Sequence, residues 1–469
     1  MQQLVAGIDS STQSCKVVVC DAHTGTVVRQ GRAAHPEGTS IHPDLWWEAV
    51  EQASEGGLLD GVAALAVGGQ QHGMVALDHH DEVIREALLW NDTRSAQDAR
   101  DLIEELGGPQ QYATQVGSVP VASFTVSKVR WLARCEPASA ARVARVVLPH
   151  DWLTGRFLQD RRGLDEWTTD RGDASGTGYW SAHTGEYRHD IMTAALGHDF
   201  AVPRVLEPAE RAGTTADGMV IAAGTGDNMG AALGLSLQPG DVVVSLGTSG
   251  TVFTVSDVCP ADPSGAVSGF ADATGAFLPL MCTLNAARVL SAAAAMLGVD
   301  LDTVDHLALS AAPGAGGLSL LPYFDGERTP DLPDATGTLS GLTRTNATPE
   351  NVARACVEGM LLNLRGGIEA LGAQGARVER VLLIGGGSAS RAVQQVAASI
   401  FEVPVAVPEP GEYVGIGAAR QAAWSLTGEA NAPQWPRRLA REAIATDCSR
   451  AEVAELVGRY ERLLAATHG

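Results

Sequence analysis

Long apolar runs and a leader pattern are both missing from this 469-residue sequence. No stretch is apolar over a length sufficient to span a bilayer, and the chain opens with a strand-like segment, LVAGID, rather than a charged and then apolar signal. The seven cysteines are scattered, odd in number and never arranged as C-x-x-C, which argues against a disulfide framework or a zinc site. These absences predict a reduced, cytoplasmic protein.

Positive charge is also scarce. The chain has 33 Lys and Arg residues against 55 Asp and Glu residues, a formal net charge of −22 at pH 7. That balance argues against nucleic acid or an anionic membrane as a partner. An anion could still bind, but it would need local devices such as backbone N–H groups, helix N-termini or a metal ion.

The glycine turn LIGGGSAS, at 383–390, lacks the best-known nucleotide-binding signatures. It contains neither G-K-[ST] nor G-x-G-x-x-G, so it is not a P-loop or a Rossmann fingerprint. It follows an apolar segment and precedes an amphipathic one, which predicts a turn from a strand to a helix. Such a turn lets a nucleotide approach the backbone, and simple close packing of strand and helix explains it equally well.

What the sequence does contain is a repeated order of elements. Its length exceeds one ordinary core and suits two large domains. LVAGID, SSTQS and CKVVVC predict a strand, a polar turn and a strand, and QPGDVVVSLGTSGTV repeats that order in the second half. The turns at 7–14 and 245–252 therefore indicate an internal duplication. We expect two α/β domains, 1–236 and 237–469, with a cleft between them.

Both turns are rich in Gly, Ser and Thr, whose backbone N–H groups and hydroxyls can hold phosphates. Tight β-turns explain either turn taken alone. Asp9 lies at the first turn, where a carboxylate would repel a phosphate unless a cation intervened, and Mg²⁺ held through water resolves that conflict. The alternative for Asp9 is an Asx turn that caps its own loop.

Two polar loops could hold a polyhydroxylated ligand. GGQQHG (68–73) and LWNDTR (89–94) offer amides, an imidazole, an indole and a carboxylate. The alternative is a loop histidine and a helix-capping Asp92. Asp227, in GTGDNMGAALG, likewise either caps a helix or meets a substrate, and a helix N-terminus would favour its ionised form.

Seven segments together resemble one known family. GIDSSTQSCK, GGQQHG, LWNDTR, GTGDNMGAALG, SLGTSG, LPYFDGERTP and LIGGGSAS occur in the order found in the FGGY carbohydrate kinases, over nearly the whole chain. Three of them resemble the xylulokinases more than the kinases of glycerol, gluconate or L-ribulose. The resemblance implies two duplicated actin-like (ribonuclease H-like) α/β domains that use ATP and Mg²⁺ to phosphorylate D-xylulose to D-xylulose 5-phosphate.

The resemblance also implies roles for individual residues. Asp227 matches the catalytic base, with Asn228 beside it at the sugar, and Asp9 matches a catalytic aspartate associated with the metal. The residues expected at the sugar are Gln71, His72, Trp90, Asn91 and Asp92. The residues expected at the phosphates and the nucleotide are Ser11, Thr12, Gly247, Thr248, Ser249, Gly385, Gly386, Gly387 and Ser390. On this assignment 1–236 binds the sugar and carries the base, and 237–469 binds the nucleotide.

Four residues depart from the family pattern. Cys135 replaces an amide, acid or histidine, His150 a lysine and Ala292 a tryptophan, and Cys356 occupies a small-residue position. None is expected to touch the chemistry, although Ala292 and His150 bear on nucleotide fit. Three questions stay open: whether the substrate is another ketose or polyol, whether the protein is an actin-like nucleotide switch rather than a kinase, and whether it forms a homodimer.

Overall fold

The computed structural model describes residues 3–159, 164–442 and 444–469. Elements are numbered in chain order. Those of the first half are β1 (Leu4–Ser10), β2 (Ser14–Asp21), β3 (Val27–Ala34), β4 (Ser40–Ile41), α1 (Asp44–Ala53), β5 (Val62–Gly69), β6 (Val75–Leu77), β7 (Ala87–Leu88), α2 (Ala96–Glu105), α3 (Pro109–Val116), α4 (Thr125–Cys135), α5 (Pro137–Ala140), β8 (Arg145–Val147), α6 (Pro149–Leu158), β9 (Thr168–Asp170), α7 (Arg171–Ser175), α8 (His189–Leu196), β10 (Arg204–Leu206), β11 (Arg211–Thr214), β12 (Val220–Ala222), β13 (Thr225–Gly226) and α9 (Asp227–Gly234).

The second half continues the series. Its elements are β14 (Asp241–Leu246), β15 (Gly250–Thr254), β16 (Ser268–Ala271), β17 (Phe277–Thr283), α10 (Ala287–Leu297), α11 (Leu301–Ser310), β18 (Ser319–Leu321), β19 (Thr338–Ser340), α12 (Pro349–Ala373), β20 (Arg380–Ile384), α13 (Arg391–Ile400), β21 (Val405–Pro408), α14 (Tyr413–Thr427), β22 (Leu439–Arg441) and α15 (Arg450–His468), with short 3-10 helices at Ala315–Gly317 and Gly386–Ala389. Within the described ranges, none of these helices is both long enough and apolar enough to cross a membrane.

The chain forms two compact units. The first consists of Met1–Leu237, Ser256–Pro279 and Gly411–Arg437, and the second of Gln238–Val255, Leu280–Pro410 and Arg438–Gly469. Each unit is assembled from separate stretches of chain. The assignment of sugar and nucleotide to 1–236 and 237–469 stays a prediction.

The main sheet of the first unit has the strand order β11-β12-β5-β1-β2-β3. β1 and β2 form the predicted hairpin, and β3 continues it as a third antiparallel strand. β5 is parallel to β1, β12 and β13. Because parallel strands end at the same edge of a sheet, β1, β5 and β13 bring their carboxyl ends together: Ser10 pairs with Gly69, and Gly69 with Gly226. This edge carries the predicted sugar and base residues.

The two faces of this sheet are covered by different helices. Successive side chains of a strand point to opposite faces. Ile8 of β1 therefore packs with Trp46 of α1 and Trp152 of α6, whereas Val5 packs with Ala419 of α14. The near-continuous apolar character of LVAGI follows from burial on both faces.

Glycines let α14 approach the sheet and α9 at backbone contact. A Cβ added to Gly7 would lie 1.9 Å from the carbonyl oxygen of Gly415, and one added to Gly417 would lie 1.9 Å from that of Gly230. The small residues in GTGDNMGAALG and VGIGAARQ are therefore required by packing. Any larger side chain there would displace α9, which begins at Asp227.

The second unit repeats the topology of the first. Its main sheet runs β17-β15-β14-β20-β21-β22. β14 is antiparallel to β15 and parallel to β20, which is parallel to β21. In the first unit β1 stands in the same relation to β2, β5 and β12, so the predicted duplicated α/β fold is confirmed.

Candidate active site

Asp227 is the first residue of α9 and follows β13 directly. Its Oδ1 accepts hydrogen bonds from the backbone N–H and the side-chain amide of Asn228, both at 2.7 Å. The N-cap residue of the helix is Gly226. Burial and the negative charge of Asp9 raise the pKa of Asp227 from 3.8 to about 7. The backbone N–H groups at the start of α9 lower this pKa, in the direction expected for a helix N-terminus, but desolvation and the charge of Asp9 outweigh them.

Asp9 lies near the end of β1 and is buried. Its Oδ2 is 3.3 Å from Nζ of Lys16, which also lies 2.7 Å from Oε2 of Glu412. Burial raises the pKa of Asp9 to about 6, although Lys16 acts in the opposite direction. Among the described residues, Oδ1 has no hydrogen-bond partner. The carboxylate thus forms an ion pair across the hairpin rather than an Asx turn.

Gln71 and His72 follow β5 and turn toward α7. Nε2 of Gln71 donates to the carbonyl of Gly172 at 3.3 Å, and Nδ1 of His72 lies 2.6 Å from the carbonyl of Gly176. The His72 ring stacks on Phe124, with ring centroids 4.7 Å apart. Its backbone has φ of 69°, which is rare for a residue other than glycine. A position this constrained is typical of functional sites.

Lys128 holds the strained backbone of His72 and was not singled out from the sequence. Its Nζ donates to the carbonyls of His72, at 3.1 Å, and Ser123. Thr125 donates to the same His72 carbonyl at 3.2 Å. Burial lowers the pKa of Lys128 to about 7, partly countered by the charge of Asp92. The chain has only two lysines, Lys16 and Lys128, and both contact predicted site residues.

In the loop LWNDTR, Asp92 does not cap a helix as predicted. α2 begins at Ala96, and its N-cap is Ser95. Asp92 instead pairs with Arg94, at 2.8 Å, and accepts a hydrogen bond from Thr39. An ion pair and a long-range hydrogen bond therefore replace the predicted capping contact.

Trp90 connects this loop to the first Gly/Ser/Thr turn. Nε1 of Trp90 donates to Oγ1 of Thr12 at 2.7 Å, while part of the indole is exposed. Ser11 closes the turn by donating to the carbonyl of Ser14 at 3.0 Å. Asn91 donates to the carbonyl of Gly38 at 3.3 Å. The indole thus ties the predicted sugar loop to the predicted phosphate turn.

In the second unit, the turn SLGTSG joins β14 to β15 and contacts α10. The carbonyl of Gly247 accepts the N–H of Ala287 at 2.9 Å. Nε of Arg288 donates to the carbonyl of Thr248 at 3.3 Å, and its Nη1 pairs with Asp325 at 2.6 Å. Sequence reasoning missed Arg288, which brings a cation to a loop predicted to bind phosphates.

The turn LIGGGSAS contains residues with clear packing roles. A Cβ added to Gly385 would lie 2.8 Å from the carbonyl of Leu246, whereas one added to Gly386 would meet nothing within 4 Å. Ser390 caps α13 by accepting the N–H of Val393, and it also donates to Asp305. Close packing explains Gly385 and capping explains Ser390, so Gly386 is the position open to a ligand.

Comparison with known proteins decides the family. The family model for the N-terminal domain of the FGGY family of carbohydrate kinases matches residues 4–235, and that for the C-terminal domain matches residues 242–426. The chain belongs to the FGGY family of carbohydrate kinases. The predicted family and the predicted kinase class are therefore confirmed, and the actin-like nucleotide switch is not favoured.

Individual relatives of this FGGY kinase agree. The chain is 47% identical to a xylulose kinase of Streptomyces coelicolor over 441 residues, 91% of this chain and 89% of that protein. A xylulose kinase of Streptomyces rubiginosus is 46% identical over 442 residues, again 91% and 89%. The crystal structure of a xylulose kinase from Bifidobacterium adolescentis superposes with a TM-score of 0.90 at 45% identity, covering 98% of this chain and 99% of that one.

Proposed function

We propose that this FGGY kinase transfers the γ-phosphoryl group of ATP to the terminal hydroxyl of D-xylulose, giving D-xylulose 5-phosphate in pentose catabolism. The observation that carries the proposal is the junction of β13 and α9, where Asp227 lies at the same sheet edge as Asp9 and the Gln71–His72 loop. Relatives named as xylulose kinases at 46–47% identity support the choice of sugar.

Asp227 is the proposed general base. Its pKa of about 7 leaves a substantial ionised fraction at neutral pH, and a pKa near the working pH suits a group that must accept a proton in the transition state. Asn228 holds Oδ1 through two hydrogen bonds, which leaves Oδ2 for the sugar hydroxyl.

Gln71 and His72 are the proposed sugar contacts, with Trp90, Asn91, Asp92 and Asn228 around the same ligand. The imidazole of His72 is fixed by Gly176 on one nitrogen and by ring stacking on Phe124. A rigid imidazole beside a primary amide offers both donors and acceptors to a polyol. Such a site discriminates strongly, because a ligand lacking a hydroxyl would leave these buried groups unpaired.

Asp9 is the proposed partner of Mg²⁺, through water. A buried carboxylate oxygen without a partner among the described residues suits an ordered, hydrated divalent cation. When bound, Mg²⁺ neutralises phosphate charge during transfer. The proposed phosphate contacts lie in two turns, one with Ser11 and Thr12 and the other with Gly247, Thr248 and Ser249. The proposed nucleotide turn consists of Gly385, Gly386, Gly387 and Ser390.

A cytoplasmic location belongs to the same proposal. Cys15, Cys20 and Cys356 are buried thiols, which supports a reducing compartment. The homodimer stays a prediction.

A substrate panel tests the proposal. Initial rates with ATP and Mg²⁺ are measured for pentuloses, hexuloses and polyols, and ³¹P NMR identifies the phosphorylated position. We expect the highest kcat/KM for D-xylulose and a 5-phosphate product. A higher kcat/KM for another ketose or polyol would replace D-xylulose as the substrate, and the absence of phosphoryl transfer to any sugar would overturn the proposal.

A further inference from the structure

A buried cluster of one histidine and three carboxyl groups lies in the first unit. His150, the second residue of α6, has Nδ1 2.6 Å from Oδ2 of Asp173 and 3.3 Å from Oδ1 of Asp151. Its Nε2 lies 3.8 Å from Oδ1 of Asp170. All four residues are buried. The other charges that act on the cluster are Arg171, beside Asp170, and Asp227, beside Asp173.

The histidine is held as a cation. Burial alone would lower the pKa of His150, but the charges of Asp151 and Asp173 outweigh it and raise the pKa to about 10. A buried carboxylate without a cation is strongly unfavourable. Burial also raises the pKa of Asp151 and Asp173 to about 7 and raises that of Asp170. These acids are therefore partly protonated at neutral pH, and the imidazolium balances the negative charge that remains.

The cluster fixes the start of α7. Asp170 is the N-cap residue, and its carboxylate accepts the N–H groups of Gly172, at 2.7 Å, and Asp173, at 3.0 Å. The side chain of Asp173 then binds His150 on α6. The ion pair thus links this five-residue helix to α6.

The same short helix supplies the partners of the proposed sugar residues. The carbonyl of Gly172 accepts the amide of Gln71, and the carbonyl of Gly176, which follows the helix, binds the ring of His72. A shift of α7 would therefore move both side chains. His150 itself touches neither of them in these contacts.

His150 is also packed against the strand edge that carries Asp227. A Cβ added to Gly224 would lie 2.4 Å from Cδ2 of His150, and one added to Gly69 would lie 2.8 Å from its Cβ. Gly224 precedes Asp227 by three residues, and Gly69 ends β5. The ring thus lies between α7 and the ends of the two strands.

We propose that His150 is a positioning residue of the kinase site: its buried imidazolium, bound to Asp173, holds α7 and thereby places Gln71 and His72 for the sugar. The inference rests on the proposed function for the choice of sugar. This role requires that the side chain of His150 carry a positive charge at neutral pH.

Three variants and one spectroscopic measurement test it. His150→Gln removes the charge, His150→Lys keeps a cation, and His183→Gln is the control, since His183 is an exposed histidine of the same unit. We expect His150→Gln to raise the KM for D-xylulose by about tenfold, the scale of one buried charge-assisted contact. The KM for ATP should change less than about twofold, on the ordinary scale of surface substitutions. His150→Lys should recover most of the loss, which a merely space-filling role would not allow.

The protonation state is measured without turnover. In ¹H–¹⁵N spectra of the wild-type imidazoles, the signal that disappears in His150→Gln should remain that of a protonated ring from pH 5 to about pH 9, as the raised pKa requires. A ring that titrates near its ordinary pKa of 6.5, or an unchanged KM for the sugar in a folded His150→Gln variant, would overturn the inference. If another sugar proves to be the substrate, only the proposed function is corrected, and the same KM comparison is made with that sugar.

Discussion

Asp9 lies in β1 and Asp227 directly follows β13, two strands that both pair with β5, and the negative charge of Asp9 raises the pKa of Asp227. Asp9 pairs with Gly68, and the residue before Asp227 pairs with Gly69. Lys16 opposes the rise in the pKa of Asp9, so the two carboxyls titrate near pH 6 and pH 7. Burial raises both pKa values, and Asp9 in addition has Lys16 as an ion-pair partner. We therefore expect different tasks for the two acids: Asp9 at a cation and Asp227 as a proton acceptor.

The first prediction concerns turnover. Asp227→Asn keeps the shape of the side chain and removes the proton acceptor. We expect the variant to fold and to bind D-xylulose, with kcat lower by roughly 10²- to 10⁴-fold, the usual span for a positioned base. The measurements are kcat, and sugar binding by calorimetry. A folded variant with nearly wild-type kcat would rule out Asp227 as the base.

The same substitution should stabilise the protein, more at pH 8 than at pH 5. The folded-state pKa is raised from 3.8 to about 7, so the folded protein binds this proton more tightly than the unfolded chain does. As the pH rises from 3.8 to 7, the unfolded chain releases this proton while the folded protein keeps it, and folding free energy is lost over that range, on the order of a few kcal/mol once the pH exceeds 7. Asn removes that cost, so we expect a higher Tm whose gain grows with pH.

The control for stability is Asp257→Asn, an exposed aspartate of the same unit. It should change Tm little at either pH. An equal gain in Tm at pH 5 and pH 8 for Asp227→Asn would mean that the pKa of Asp227 is not raised by the fold.

The parts of the fold that could be predicted are those that depend on residues close together in the sequence. Gly/Ser/Thr turns between apolar runs identified the hairpins β1–β2 and β14–β15, and their repetition predicted the duplication. The helix-capping alternative for Asp92 is wrong because its carboxylate is bound by Arg94 and by Thr39, 53 residues earlier in the chain. A capping pattern cannot reveal a competing partner that is distant in sequence.

The same reason explains which site residues were missed. The apolar and polar pattern of the sequence predicts where strands end, and four predicted site residues lie at such ends: Asp9, Gln71, His72 and Asp227. Lys128 acts on a carbonyl 56 residues away. His150 was noted only as a departure from a family pattern, since Asp173, which gives the ring its charge, lies 23 residues further on. Buried polar residues acquire their roles from tertiary contacts, which periodicity does not encode.

A third prediction concerns Mg²⁺ and Asp9. Asp9→Ala should raise the Mg²⁺ concentration needed for half-maximal turnover by roughly 10- to 100-fold, the range for losing a group that holds metal-bound water, and should lower kcat. Binding of D-xylulose without nucleotide should stay near normal, because Lys16 keeps its contact with Glu412. The measurements are a Mg²⁺ titration of initial rates, and calorimetry with the sugar alone.

Glu412→Gln is the matched control for Asp9. It removes the other carboxylate that contacts Lys16 while leaving Asp9 in place. Its Mg²⁺ midpoint should stay near that of the wild type. If Asp9→Ala keeps the wild-type Mg²⁺ response and rate, Asp9 is only a turn residue.

The last prediction concerns sugar affinity. His72→Asn is chosen because asparagine tolerates the positive φ of 69° better than alanine does, so backbone strain is not confused with loss of the ring. The substitution removes the imidazole that stacks on Phe124 and contacts Gly176. We expect the KM for D-xylulose to rise by about tenfold or more, the cost of leaving a buried hydrogen-bonding group unpaired, while the KM for ATP changes far less. His80→Asn, at an exposed histidine, should leave both constants unchanged. Equal losses for sugar and ATP in His72→Asn would indicate misfolding, and no loss for either would place the sugar site elsewhere.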